Sequence, residues 1–293
     1  IRPSSLFNKG HDSNIEVYYG NLSDYSEVDM ACSQVKQVIA TASSIIPRKG
    51  DKFGDDEIKY YQNLVKACVK NKIEHLIYIS AFPSPYDHLV PEFQVKRKIE
   101  KLIKESGVPY TIFQCAAFMD IYFAVMGSNL VLKGVSQPTM LRSFWFTQLY
   151  HKLTNGILEK YGIALIPSNG KTRQSFICIN DVAAFMVKAL ELPETKNRVI
   201  ELGGSEAISW VEVANIFSIN LNKKIIKVFF PIYFISIFLI ILRTFSLAGG
   251  NSLSILSLLG KYEYVIDMKS TKEEFGLPLK DTSQYLRDCS LLS

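Results

Sequence analysis

The chain has 293 residues, 48% hydrophobic and 21% charged, enough to enclose a substantial core, and this balance excludes disordered, collagenous and coiled-coil proteins. Lys and Arg number 33 against 28 Asp and Glu, and the surplus of +5 is mixed with acids, as along Lys96 to Lys104 with Glu100 among them. No nucleic-acid partner is expected from so dispersed a charge. Cys32, Cys68, Cys115, Cys178 and Cys289 are odd in number and lack metal-like spacing, so they read as reduced, buried thiols of a cytoplasmic protein or one in another reducing compartment such as the plastid stroma. The histidines His11, His75, His88 and His151 have no ligand spacing either, and no metal is expected.

The chain opens Ile1-Arg2-Pro3 with no initiator Met and no basic-then-apolar leader, which reads as a piece of a longer protein. Ile15–Tyr19 and 37–42 are β-rich runs, separated by Gly20-Asn21-Leu22 and an acidic segment. From Ile58 the apolar positions Tyr61, Leu64, Val65, Cys68 and Val69 recur at helical spacing as far as Asn71. His75–Ile79 is apolar enough for a strand buried on both faces. A helix over 93–106 turns Ile99, Leu102 and Ile103 inward and stops at Gly107, before a strand at Tyr110–Phe113. This alternation predicts a doubly wound parallel sheet.

Further on, a strand at Ser175–Ile179 is expected to lead into a helix capped by Asn180-Asp181, carrying Val182, Phe185, Met186, Ala189 and Leu190 and stopped by Pro193. Val199–Leu202 reads as another strand, and Ser209-Trp210-Val211-Glu212 has the form of a capping box. Val228–Leu242 carries no charge, and Arg243 is the sole charge between Val228 and Gly260. As a helix it spans roughly 22 Å, short of a ~30 Å hydrocarbon layer, so a buried helix is expected before a membrane span. The sharper alternative is an apolar wall offering peripheral membrane contact through 228–242.

Ligands of open parallel sheets bind beyond the carboxyl ends of the strands. The residues there are Gly20-Asn21-Leu22, Thr41-Ala42-Ser43, Ser80-Ala81-Phe82 and Gln114-Cys115-Ala116-Ala117-Phe118. Small and hydroxyl-bearing side chains at such points admit a flat cofactor and offer neutral hydrogen bonds to ribose or amide groups.

In order along the chain, Arg2-Pro3, Gly20-Asn21-Leu22-Ser23-Asp24, Lys96 with Glu100 and Ser106-Gly107-Val108-Pro109-Tyr110-Thr111-Ile112, Phe176-Ile177-Cys178-Ile179-Asn180-Asp181-Val182-Ala183 and Glu201-Leu202-Gly203-Gly204 form a pattern. It closes with Phe275-Gly276-Leu277-Pro278 and Tyr285-Leu286-Arg287, and as a whole resembles the NmrA-like branch of the atypical short-chain dehydrogenase/reductases. The resemblance implies a Rossmann-type α/β fold: residues 1–125 as an NAD(P)-binding domain lacking its first βα unit, and 126–293 completing the sheet at about 175–202 and forming a smaller, mostly helical substrate lobe. NADP(H) is the implied cofactor, with NAD(H) the alternative. Arg2 would meet the adenosine 2′-phosphate, Asn21 and Leu22 the adenine, and Thr41, Ala42 and Ser43 the cofactor beside its ribose. Ser80 would orient a substrate carbonyl, and Lys96 would hold ribose hydroxyls or act as acid-base. Cys115, Ala116 and Phe118 would lie on the nicotinamide side. The ordinary reading of Lys96 is a solvated lysine on an amphipathic helix.

Two departures from the family pattern stand out. The Tyr that transfers the proton in catalytic short-chain reductases is replaced by Glu92, four residues before Lys96, and the glycine-rich phosphate loop is absent from the sequence. With the match beginning at Arg2, the missing loop reads as truncation. The function implied is an NADPH-dependent oxidoreductase of a small hydrophobic or quinone-like substrate. The alternative is a non-catalytic dinucleotide sensor or assembly scaffold with a protein partner, including relatives that assist photosystem assembly.

Overall fold

The computed structural model describes residues 16–45, 52–133, 138–141, 144–231 and 242–292. Four parallel strands form the main sheet: β1 (Gln37–Ala40), β2 (His75–Ala81), β3 (Tyr110–Cys115) and β6 (Arg198–Leu202), in the order β1-β2-β3-β6. Register is set by pairs such as Ile39 with Ile77, Tyr78 with Ile112 and Phe113 with Ile200.

Alternation along the strands decides which residues meet which helices. Leu76, Tyr78 and Ile112 face a core shared with α1 (Tyr25–Cys32), α2 (Asp55–Lys70) and α3 (Pro91–Glu105). Ile77, Phe113 and Cys115 face the opposite core, covered by α7 (Ile179–Glu191) and by Phe275 of a short helix near the C-terminus. A sheet with helices on both faces is the doubly wound arrangement that the apolar runs predict. Gly107 takes φ +77°, the left-handed conformation that ends α3. Gly204 has a different reason: a Cβ there would lie 1.9 Å from the Phe176 carbonyl oxygen, so only glycine lets the end of β6 pass the 175–177 segment.

The remaining elements build a second lobe. They are α4 (Met119–Val125), α5 (Trp145–Thr154), α6 (Ile157–Tyr161), β4 (Ile163–Pro167), β5 (Arg173–Gln174), β7 (Ile208–Ser209), α8 (Trp210–Asn220), β8 (Ile226–Phe230), α9 (Leu247–Lys261) and α11 (Thr282–Leu291), whereas α10 (Lys269–Phe275) is the short helix whose Phe275 packs on the main sheet. β4 pairs with β8 in parallel, and β5 with β7 antiparallel. Phe123, Phe176, Trp210 and Phe217 are fully buried at its centre in edge-to-face contacts. The capping box at Ser209 forms as expected: its hydroxyl accepts from Glu212 N, and the Glu212 carboxylate accepts from Ser209 N.

Four expectations are corrected. Residues 16–20 form no strand; Ile15 lies outside the described residues. The segment 175–179 is not a regular strand but an irregular stretch with a single bridge from Ile177 to Phe118. It ends at Cys178, the N-cap of α7, so Asn180-Asp181 lie inside the helix. The first N–H of α7 is satisfied from another helix, with Ile179 N donating to Asp120 Oδ2 at 2.9 Å. Val228–Phe230, expected as the start of a buried helix, instead pair in β8 and are 37–44% exposed. An edge strand beside β4 has backbone partners on one side only, and β-branched and aromatic residues suit that place. Residues 232–241 of that apolar run lie outside the described residues. Among the described residues, no helix is long and apolar enough to cross a membrane. All five cysteines are buried free thiols.

Candidate functional site

The carboxyl ends of β1, β2 and β3 open onto a cavity of about 410 Å³. Its sheet side is lined by Thr41 and Ser43 after β1, Ile79–Phe82 at the end of β2 and Cys115–Phe118 at the end of β3. The helices contribute Glu92, Phe93 and Lys96 from α3, Asp120–Tyr122 from α4 and Ile255 from α9. A concave, mainly apolar space with a few converging polar groups at the sheet's carboxyl edge is where a Rossmann-type fold holds its ligand.

Of the residues singled out in the sequence, Thr41, Ser43, Ser80, Lys96, Cys115, Ala116 and Phe118 come together in this cavity. Ala42 sits beside it, with its carbonyl accepting the Tyr61 hydroxyl at 2.9 Å. Asn21 and Leu22 are not in its lining. Asn21 forms a turn, its side-chain oxygen accepting from Ser23 N at 3.1 Å, and the Leu22 carbonyl accepts from Asn63 at 2.9 Å. Arg2 lies outside the described residues.

Lys96 is 6% exposed, which overturns the solvated reading. Its Nζ donates to Glu57 Oε1 at 2.9 Å and stands 5.3 Å from the centre of the Tyr78 ring. Glu57, itself 1% exposed in the first turn of α2, uses its other oxygen to accept from Ser44 N at 2.7 Å and Ser44 Oγ at 2.9 Å. Burial opposes charge on both members of this pair. For Lys96 it is outweighed by Glu57, and the ammonium is held above its ordinary range. For Glu57 it is outweighed by Lys96 and the Ser44 donors, and the carboxyl sits below the usual carboxylate range. The pair is therefore ionised, and Lys96 does not readily yield a proton.

Glu92 shares the same face of α3, one turn before Lys96, and is 8% exposed. Its N–H, one of the unpaired donors at the start of a helix, donates to Asn251 Oδ1 at 2.9 Å, while Asn251 Nδ2 donates to Glu92 Oε2 at 3.3 Å. Asn251, on α9, is fully buried, so the second lobe holds this carboxyl over the cavity. Burial pushes Glu92 up to about 7, with Lys96 pulling the other way.

The Ser80 hydroxyl is committed elsewhere, donating to Glu100 Oε1 at 2.5 Å. Gln114 Nε2 donates to the same carboxylate at 3.0 Å, and Arg97 closes the cluster. Ser80 and Gln114 face α3 because they continue the alternation of Tyr78 and Ile112. Sequence reasoning missed Glu57, Arg97, Glu100 and Asn251. A signal for Glu57 was present: it precedes Tyr61, Leu64 and Cys68 by four, seven and eleven positions, the spacing of the buried stripe of α2. Asn251 had none, because its partner lies 159 residues away.

An open parallel sheet covered by helices on both faces, with its cavity at the carboxyl edge, defines a Rossmann-type protein. The chain belongs to the NmrA-like family, whose pattern it matches over residues 3–277. Among characterised proteins it is 24% identical over 207 residues to a photosystem II assembly factor of Trieres chinensis, covering 69% of this chain and 54% of that protein. It is 21% identical over 226 residues to a phenylcoumaran benzylic ether reductase of Pinus taeda, covering 75% and 62%. The chain thus spans little more than half the length of these relatives. Among solved structures, a Staphylococcus aureus nucleoside-diphosphate-sugar epimerase superposes with a TM-score of 0.72 at 15% identity, covering 98% of this chain and 88% of that one. A Citrobacter sp. triphenylmethane reductase complexed with NADP(H) gives 0.67 at 16% identity, covering 94% and 84%. At these identities the superpositions establish the fold.

Proposed function

We propose that the chain binds a nicotinamide dinucleotide, NADP(H) in preference to NAD(H), along the carboxyl ends of β1–β3, and that it reduces a small hydrophobic or quinone-like acceptor. The observation that carries this reading is the cavity itself, which combines hydroxyl-bearing and small residues on the sheet side with a buried ion pair and a mainly apolar opposite wall. The residues present fit such a cofactor: Thr41 offers a hydroxyl, Ser43 adds a second that also donates to Glu57 at a long 3.4 Å, and Cys115, Ala116 and Ala117 leave room for a flat ring. Lys96 Nζ donates to Glu57 and, with three N–H donors, retains others for ribose hydroxyls. The likeness to the NADP(H)-complexed Citrobacter sp. reductase supports the choice of cofactor. When bound, a reduced nicotinamide supplies hydride. The protein's share is to orient it, to exclude water with Phe82, Phe93, Phe118 and Tyr122, and to manage the proton.

Ser80 belongs to the cavity wall in this reading, since its proton is spent on Glu100. Arg2 remains the proposed contact to a 2′-phosphate, for which a permanently charged fork is suited. Titration calorimetry of the chain with NADPH and NADH tests the proposal. Tighter binding of NADPH, weakened by Lys96→Met and more so than NADH by Arg2→Ala, is the expected result, and no heat with either nucleotide would refute it.

A second reading is a dinucleotide-bound assembly scaffold. It is favoured by the similarity to the photosystem II assembly factor and by the exposed apolar residues of β8, Ile226, Val228 and Phe230 along one face and Phe229 on the other. Under that reading NADPH binds but is not oxidised.

A further inference from the structure

We propose that Glu92, the carboxyl that stands where catalytic short-chain reductases carry tyrosine, is the proton donor of this site, held over the cavity by Asn251 and backed by Lys96. The proposal rests on the reductase reading above and adds to it a residue that replaces the missing acid.

Geometry carries it. Glu92 lines the same cavity as the strand ends that would hold the dinucleotide, and it lies one turn from Lys96 on the face of α3 that points there. It is not the partner of Lys96, whose ammonium is taken by Glu57. Asn251 satisfies its backbone N–H and one carboxyl oxygen, which fixes the side chain without neutralising it. The titratable groups that face it are Lys96 on its own helix, Glu57 from α2, Tyr78 from β2 and Tyr122 from α4. Burial outweighs the single nearby cation, so the carboxyl keeps its proton up to about pH 7, where an acid is most useful to a reaction run near neutrality.

The step balances as follows. A reduced nicotinamide, when bound, would supply the hydride that reduces the acceptor and would itself be oxidised. As negative charge develops on the acceptor oxygen, the Glu92 O–H bond breaks and a new O–H bond forms on that oxygen. The carboxylate left behind is stabilised by the Lys96 ammonium and by Asn251 Nδ2, and it recovers its proton from solvent at the cavity mouth.

The test compares the full chain with Glu92→Gln, which preserves size and the Asn251 contact, and uses Glu92→Asp to check that reach matters. In the free protein, infrared difference spectra between pH 5 and pH 9 should show a protonated-carboxyl band lost with a midpoint near 7 and missing from Glu92→Gln. Calorimetry should give the same NADPH affinity for both proteins. NADPH oxidation with a short-chain 1,4-benzoquinone should fall about 100-fold in kcat for Glu92→Gln, with KM for NADPH little changed. An unchanged kcat, or an infrared band that survives the substitution, overturns the acid role while leaving dinucleotide binding intact. A wild type that binds NADPH but does not oxidise it overturns the reductase reading and this role together. A wild type that binds no NADPH overturns the dinucleotide reading itself.

Discussion

Two charge clusters sit side by side on α3, one half-buried around Arg97 and one buried around Lys96, and they are built to opposite ends. In the first, every N–H of Arg97 has an acceptor: Nε donates to Asp87 Oδ2 at 2.8 Å, Nη1 to Ser80 Oγ and Glu100 Oε1, and Nη2 to the carbonyls of Ala81 at 2.7 Å and Phe82 at 2.9 Å. In the second, one turn of backbone away, Lys96 donates to Glu57 and Glu92 meets Asn251, with the polar atoms facing the cavity. A saturated guanidinium ties the loop after β2 to the helix and has nothing left for a ligand. The ammonium has donors to spare, and the neighbouring carboxyl is pushed up by burial to about 7. Neighbouring residues of the same helix, Lys96 and Arg97, thus differ in how fully their donors are used.

The sharpest way to break this contrast is to remove Arg97. Arg97→Ala leaves Glu100, which is 4% exposed, with only Lys104 at 3.8 Å as a cation and two loop carbonyls without their donor, and should cost about 3 kcal/mol in urea unfolding. Arg97→Lys should recover little of this, because an ammonium cannot span five acceptors. Glu57→Gln strips the counter-charge from a buried ammonium and should cost about 2 to 3 kcal/mol near pH 7. Unlike Arg97→Ala, it should also weaken NADPH binding measured by calorimetry. The pair's stabilisation is lost at both extremes, as pH falls through the depressed Glu57 value and as it rises through the elevated Lys96 value, and is fully present between their unfolded values of 4.5 and 10.5.

Glu92 gives an effect of opposite sign. Its folded pKa of about 7 lies above the unfolded 4.5, so the native state binds the extra proton between those values, and wild-type stability should fall as pH rises from 4.5 to 7. Glu92→Gln should abolish that fall and leave the variant relatively more stable at pH 8 than at pH 5, read from urea midpoints at the two pH values. Ser80→Ala should show the least: about 1 kcal/mol for one hydrogen bond to Glu100, with no change in NADPH affinity. A loss of affinity there would return Ser80 to the binding machinery.

The order of strands and helices from 37 to 115 was legible because buried parallel strands are continuous apolar runs and α2 and α3 carry strong helical periodicity. Most strand-end residues of the candidate site were legible for the same reason, since the sheet topology places its carboxyl ends together. The lobe after residue 126 was harder to read. By its sequence the run from Val228 reads as a helix, and the segment at 175–179 as a strand. Short apolar stretches fit either state, and only the pairing of β4 with β8 and of Ile177 with Phe118 decided between them. Lys96 shows the limit of composition as a guide: among so many lysines and arginines it reads as surface charge, and burial against Glu57 makes it something else.

By itself, then, the sequence determined the α/β class, the parallel sheet, the cavity's sheet-side lining and membership of the NmrA-like family. Those follow from local patterns of apolarity and from motif order, which are properties of the chain read in one dimension. Only the tertiary structure decided the state of the charges. Glu57 is brought to Lys96 from 39 residues away and Asn251 to Glu92 from 159; the opposite charge of its partner outweighs burial for each member of the first pair, while burial raises the carboxyl of Glu92.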